Sequence, residues 1–117
     1  MINELASRVF QARNISHRAH WASKSYAEHV ALGAFYDDVI EAVDSIVEEY
    51  QGLYATRLDP FIVKDVDVKD LSDYLTSEAD WIEDHREEIS QGSSSIGNLV
   101  DNLTSVYTKT VFLLSLK

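Results

Sequence analysis

Four side chains in the first half of the chain have the types and spacing to hold a metal ion: His20, His29, Asp44 and Glu48. Imidazole and carboxylate together, with a coordination position left open, suit a divalent first-row cation such as iron or manganese, or zinc. His29, Asp44 and Glu48 fall on one predicted helix. With His29 as origin and about 100° per residue, Asp44 lies at about +60° and Glu48 at about +100°. The two carboxylates therefore sit one turn apart on a shoulder beside the core stripe, and Asp37 and Glu41 share that shoulder. His29 and Asp44 are 15 residues apart, which is roughly 22 Å of helix. One ion cannot reach both within one chain. A shared site needs two copies with their second helices antiparallel, so that His20 and His29 of one face Asp44 and Glu48 of the other in two symmetric sites.

Other chemistries are excluded early. The chain has no cysteine, which removes thiol catalysis, disulfide scaffolds, Cys-ligated zinc and iron–sulfur clusters. A di-iron centre built inside one bundle needs Glu three residues before His, but Tyr26, His17 and Ile82 stand before His29, His20 and His85. The serines Ser93–Ser95 have no His or Asp at a spacing that would make one a nucleophile, and no glycine-rich phosphate loop exists. A formal charge of −10 repels nucleic-acid phosphates and anionic membranes, so DNA binding is not expected.

The elements that position these residues follow from periodicity. At 117 residues, 45% hydrophobic, with four Gly and one Pro, the composition predicts one domain spanning 1–117. Apolar residues at spacings of three and four predict four helices. They run from about Ile2 to Ser23, Ser25 to Gln51 with Gly52 as a stop, Val68 to Ser90 with Asp67 as N-cap, and Ile96 onward. The first–second and third–fourth links are short, so each pair is an antiparallel hairpin. Gly52 to Val66 is long enough to cross the length of a bundle, and Pro60 keeps it from being one regular helix. The fold class predicted is all-α, a four-helix bundle running up-down-down-up with a long crossover between helices 2 and 3. Phe61-Ile62-Val63 is apolar enough to dock on the bundle or at a subunit interface. The polar run Glu83–Glu88 reads as an exposed face with i,i+4 charge pairs. Met1–Ser16 lacks the apolar run of a signal peptide, and Val111–Leu116 is too short to span a bilayer, so a cytoplasmic protein is expected.

The stretch His20-Trp21, His29 and Val43-Asp44-Ser45-Ile46-Val47-Glu48 resembles the ferroxidase signature of the Dps-like mini-ferritins, and His17 fits the HxxHW form of it. The resemblance covers about residues 5–52. It implies a ferritin-like bundle, a homodimer or small homo-oligomer, and iron (or another divalent metal such as Zn or Mn) bound between subunits, with His20, His29, Asp44 and Glu48 as ligands. Gly33 stands where that family has an Asp, which points to one metal rather than two. Compact chains of this kind from tailed bacteriophages resemble it in length and in the first two helices, which would place it in a host cytoplasm.

Three functions are carried forward. The first is a ferritin-like, Dps-related metal-binding protein, ferroxidase-like at most. The second is a non-enzymatic helical-bundle interaction protein with a degenerate metal site and another protein as partner. The third, resting on net charge alone, is an acidic DNA mimic.

Overall fold

Apolar residues three and four apart bury one stripe of each long helix. The computed structural model describes residues 1–117 as five helices and no strand. Helix α1 (Ile2–Ala22) buries Leu5, Val9 and Ala12, and α2 (Tyr26–Tyr54) buries Leu32, Phe35, Val39, Val43 and Ile46. Helix α3 (Leu71–Asp84) contributes Leu75 and Ile82, the single turn α4 (Arg86–Ser90) contributes Ile89, and α5 (Ser94–Leu114) contributes Ile96, Val100, Leu103, Tyr107 and Leu114. Side-chain oxygens of Ser25, Asp70 and Ser93 accept from the backbone N–H three residues on and cap α2, α3 and α5.

The helices pack as α1 on α2, α2 on α5, and α5 on α3, with α3 returning to α1. Directions follow from cross-contacts. Ser95 at the start of α5 reaches Glu49 late in α2, and Lys117 after α5 pairs with Glu28 early in α2. Tyr74 bonds Gln11 and Glu78 bonds Arg8, so α3 runs against α1. At the centre Phe35 meets Tyr107 edge to face at 5.1 Å.

Three boundaries differ from the sequence reading. Gly52 does not stop α2, which continues to Tyr54 and ends with Ala55 at φ 50°. Tyr54 donates its hydroxyl to the Ser90 carbonyl at 3.0 Å, and this anchor outweighs the roughly 1 kcal/mol that glycine costs in a helix. The third helix starts at Leu71, capped by Asp70 rather than Asp67. It also breaks at His85, whose ring Nδ1–H donates to the Trp81 carbonyl at 2.7 Å while the ring stacks on Trp81 at 4.1 Å. The charged run Glu83–Glu88 is thereby split. Arg86 turns to α5 and grips Asp101 through two bonds of 2.7 and 3.0 Å.

The crossover between α2 and α3 is an extended strap. None of residues 57–69 takes part in a backbone–backbone hydrogen bond. Instead α1 holds the strap from one stripe of side chains: Asn3 donates to the Asp59 carbonyl (3.3 Å), Ser7 to that of Ile62 (2.8 Å) and Gln11 to that of Lys64 (3.0 Å). Arg18 closes the row on Asp65. Phe61 packs edge-on against Phe10 at 5.6 Å, whereas Ile62 faces solvent. No helix is long and apolar enough to cross a membrane.

Candidate functional site

The link Ser23-Lys24-Ser25 folds tightly, with Ser23 Oγ bonded to both the N–H and the carbonyl of Ser25. That turn sets the last turn of α1 beside the first turn of α2. His20 and His29 consequently stack, ring centroids 3.7 Å apart and planes within 16°. Each ring also bonds the other's backbone: His20 Nδ1 lies 2.6 Å from the His29 carbonyl and His29 Nδ1 lies 2.8 Å from the His20 carbonyl. A carbonyl only accepts, so both Nδ1 atoms carry the proton. In the neutral rings both Nε2 atoms then keep a free lone pair. A backbone partner of this kind is how proteins fix the tautomer of a metal-binding histidine.

Gly33 is part of this arrangement. A Cβ placed on it would lie 3.0 Å from His20 Cε1 and 3.3 Å from His20 Nδ1. Around the pair runs a further set of rings. His17 stacks on Tyr36 at 3.9 Å and touches Trp21 at 4.3 Å, and Tyr36 meets His20 edge-on at 5.4 Å. Burial lowers the proton affinity of His17, and the nearby charges of Arg13 and His20 lower it further. Trp21 is 70% exposed at the end of this set.

The structure brings two of the four candidate ligands together. Asp44 and Glu48 lie farther along α2, both exposed and without a hydrogen-bonding or ionic partner in the chain. No three His, Asp or Glu side chains of one chain gather closely enough to hold a metal. This agrees with the helical distance between His29 and Asp44. Tyr36 was missed in the sequence, although it lies seven residues after His29 and so on nearly the same helical face.

Two other features stand apart. In the interior, Glu78 Oε2 accepts from the Arg8 guanidinium at 2.7 Å, while its Oε1 and the Tyr107 hydroxyl are buried without partners. Burial pushes the Glu78 carboxyl above its ordinary value, with Arg8 pulling it back. An apolar groove of about 370 Å³ lies between α2 and the end of α5, lined by Tyr26, Val30, Ala34, Leu113 and Leu116 among others.

Residues 20–114 match the family of unknown function DUF5856, and the chain belongs to that family. It is also similar to the uncharacterized 14.6 kDa protein in the mobD-ri intergenic region of Enterobacteria phage T4. The two are 26% identical over 116 residues, covering 98% of this chain and 88% of the phage protein. No solved structure matches the chain.

Proposed function

We propose that this DUF5856 protein is a ferritin-like bundle that binds one divalent first-row cation at each of two symmetric sites between two copies. His20 and His29 of one copy and Asp44 and Glu48 of the other would hold it. The reading is supported above all by the Nδ1–H tautomer that the reciprocal carbonyl bonds impose on His20 and His29; because the stacked rings send their in-plane Nε2 lone pairs side by side, a cation shared by both requires the rings to splay apart. Iron, zinc and manganese all fit a mixed imidazole–carboxylate donor set. Bound Fe(II) would be a substrate, losing one electron to an external oxidant such as dioxygen, and weak ferroxidase activity is the upper limit of the chemistry. If the gene is carried by a phage, as in its T4 relative, the protein works in the host cytoplasm.

Without a cation, antiparallel second helices set the acidic half of α2 against the apolar half around Tyr26 and Val30. Assembly should therefore depend on the metal. Calorimetry with Zn(II), Mn(II) and anaerobic Fe(II), run beside sedimentation velocity, tests this. Expected are one cation per chain and a cation-dependent dimer, with both weakened by Asp44→Asn and Glu48→Gln together. A wild-type chain that takes up none of the three ions sinks the proposal.

The groove beside α5 favours a second reading, a non-enzymatic interaction protein. Tyr26 is 82% and Leu116 61% exposed there, and contiguous exposed apolar surface is a feature of docking sites. On this reading Tyr26→Asp abolishes capture of the protein partner, and loss of Asp44 and Glu48 changes nothing.

A further inference from the structure

We infer that Gly33 is the positioning residue of the imidazole pair. Its missing Cβ lets the His20 ring lie against α2, stack on His29 and hold the one tautomer that leaves Nε2 open. The argument is steric. A contact of 3.0 Å from a Cβ to His20 Cε1, with Nδ1 at 3.3 Å, is tighter than side chains tolerate without moving. The ring has little freedom to move. It is tied through Nδ1 to the His29 carbonyl at 2.6 Å and stacked on the His29 ring at 3.7 Å. Any side chain at position 33 requires the His20 ring to give by a few tenths of an ångström, and it gives at the expense of these two contacts.

Backbone conformation gives no other reason for glycine here. Gly33 lies inside α2 with ordinary helical geometry, unlike Gly92, which sits at φ 83° in the turn before α5. Glycine inside a helix costs roughly 1 kcal/mol relative to alanine, so in an isolated helix Gly33→Ala is expected to be favourable. The close approach of His20 reverses that sign.

The seating of the ring stands on geometry alone; its consequence for a cation rests on the proposed metal site. A displaced ring loses its carbonyl partner, and Nδ1 and Nε2 then compete for the proton. Losing such an orienting partner weakens metal affinity roughly 10- to 100-fold.

Gly33→Ala tests this in the full chain by two readouts. Nitrogen NMR of the histidine rings should show wild-type His20 held as the Nδ1–H tautomer and the variant as a mixture. Zn(II) titration should show the affinity loss just stated. Because Gly33→Ala alone can unfold the protein, the same change is also made in a His20→Ala background. There the clash is gone, and the alanine should raise the melting temperature above that of His20→Ala alone. Unchanged His20 signals in Gly33→Ala, or a double variant no more stable than His20→Ala, overturns the inference. Wild type that binds no Zn(II) but shows the tautomer change refutes the metal reading and leaves the seating intact.

Discussion

Two regions of this bundle treat buried polarity in opposite ways. At the α1–α2 turn, each of two half-buried imidazoles gives its Nδ1–H to the other residue's carbonyl, at 2.6 and 2.8 Å. Some turns below, between α1, α3 and α5, Glu78 Oε1 and the Tyr107 hydroxyl are sealed from solvent with nothing to bond. A satisfied pair fixes geometry, because each bond reports on one orientation and one tautomer. An unsatisfied one costs free energy without specifying anything. The difference separates a place built to hold atoms in position from a place where the fold is most easily weakened.

The largest effect should come from the unsatisfied region. Arg8→Ala leaves Glu78 buried without its counter-charge and should cost about 3 kcal/mol by urea denaturation at neutral pH. Glu78→Gln in the same background should restore most of that. The carboxyl also makes stability depend on pH. Its proton affinity is higher in the folded than in the unfolded chain, so the folded state binds more protons between the ordinary value of 4.5 and the raised one. Stability should fall as pH rises through that window and level off above it. Glu78→Gln should flatten the decline, and an unchanged pH profile in that variant would contradict the assignment.

His20→Ala comes next, at about 2 kcal/mol for the lost stack and carbonyl bond. A cost above that of Arg8→Ala would reverse the ranking of the two regions. Tyr107→Phe should move the other way and stabilise by about 1 kcal/mol, since it removes a buried hydroxyl without a partner and keeps the edge-on contact with Phe35. A loss of stability would show that the hydroxyl is bonded in solution. The smallest change is expected at the strap, where Ser7→Ala removes one exposed bond to the Ile62 carbonyl and should cost about 0.5 kcal/mol.

Much of the architecture could be read from spacing. Leu32, Phe35, Val39, Val43 and Ile46 announce the core stripe of α2 by themselves, and a three-residue link between α1 and α2 already sets the ends of the two helices side by side, although not that His20 and His29 stack there. What could not be read depends on contacts between elements. Gly33 looks like an ordinary weak point in a helix until the His20 ring is known to lie on it. Glu78 is one of twenty acidic residues and carries no local mark of burial. The break at His85 coincides with its own side chain bonding back to Trp81, a contact that periodicity does not register. The strap is invisible for another reason: its partners are main-chain carbonyls, which every residue possesses.

That last point bears on how the chain can change. Asn3, Ser7 and Gln11 grip the strap by its backbone at Asp59, Ile62 and Lys64, so they are indifferent to which side chains those positions carry. Apart from Phe61, which has its own seat on Phe10, Asp65, which pairs with Arg18, and Leu58, which packs against the core, the strap can drift in sequence while its path stays fixed. Divergence in a relative should therefore concentrate between α2 and α3 and leave the polar stripe of α1 as the trace of a shared route.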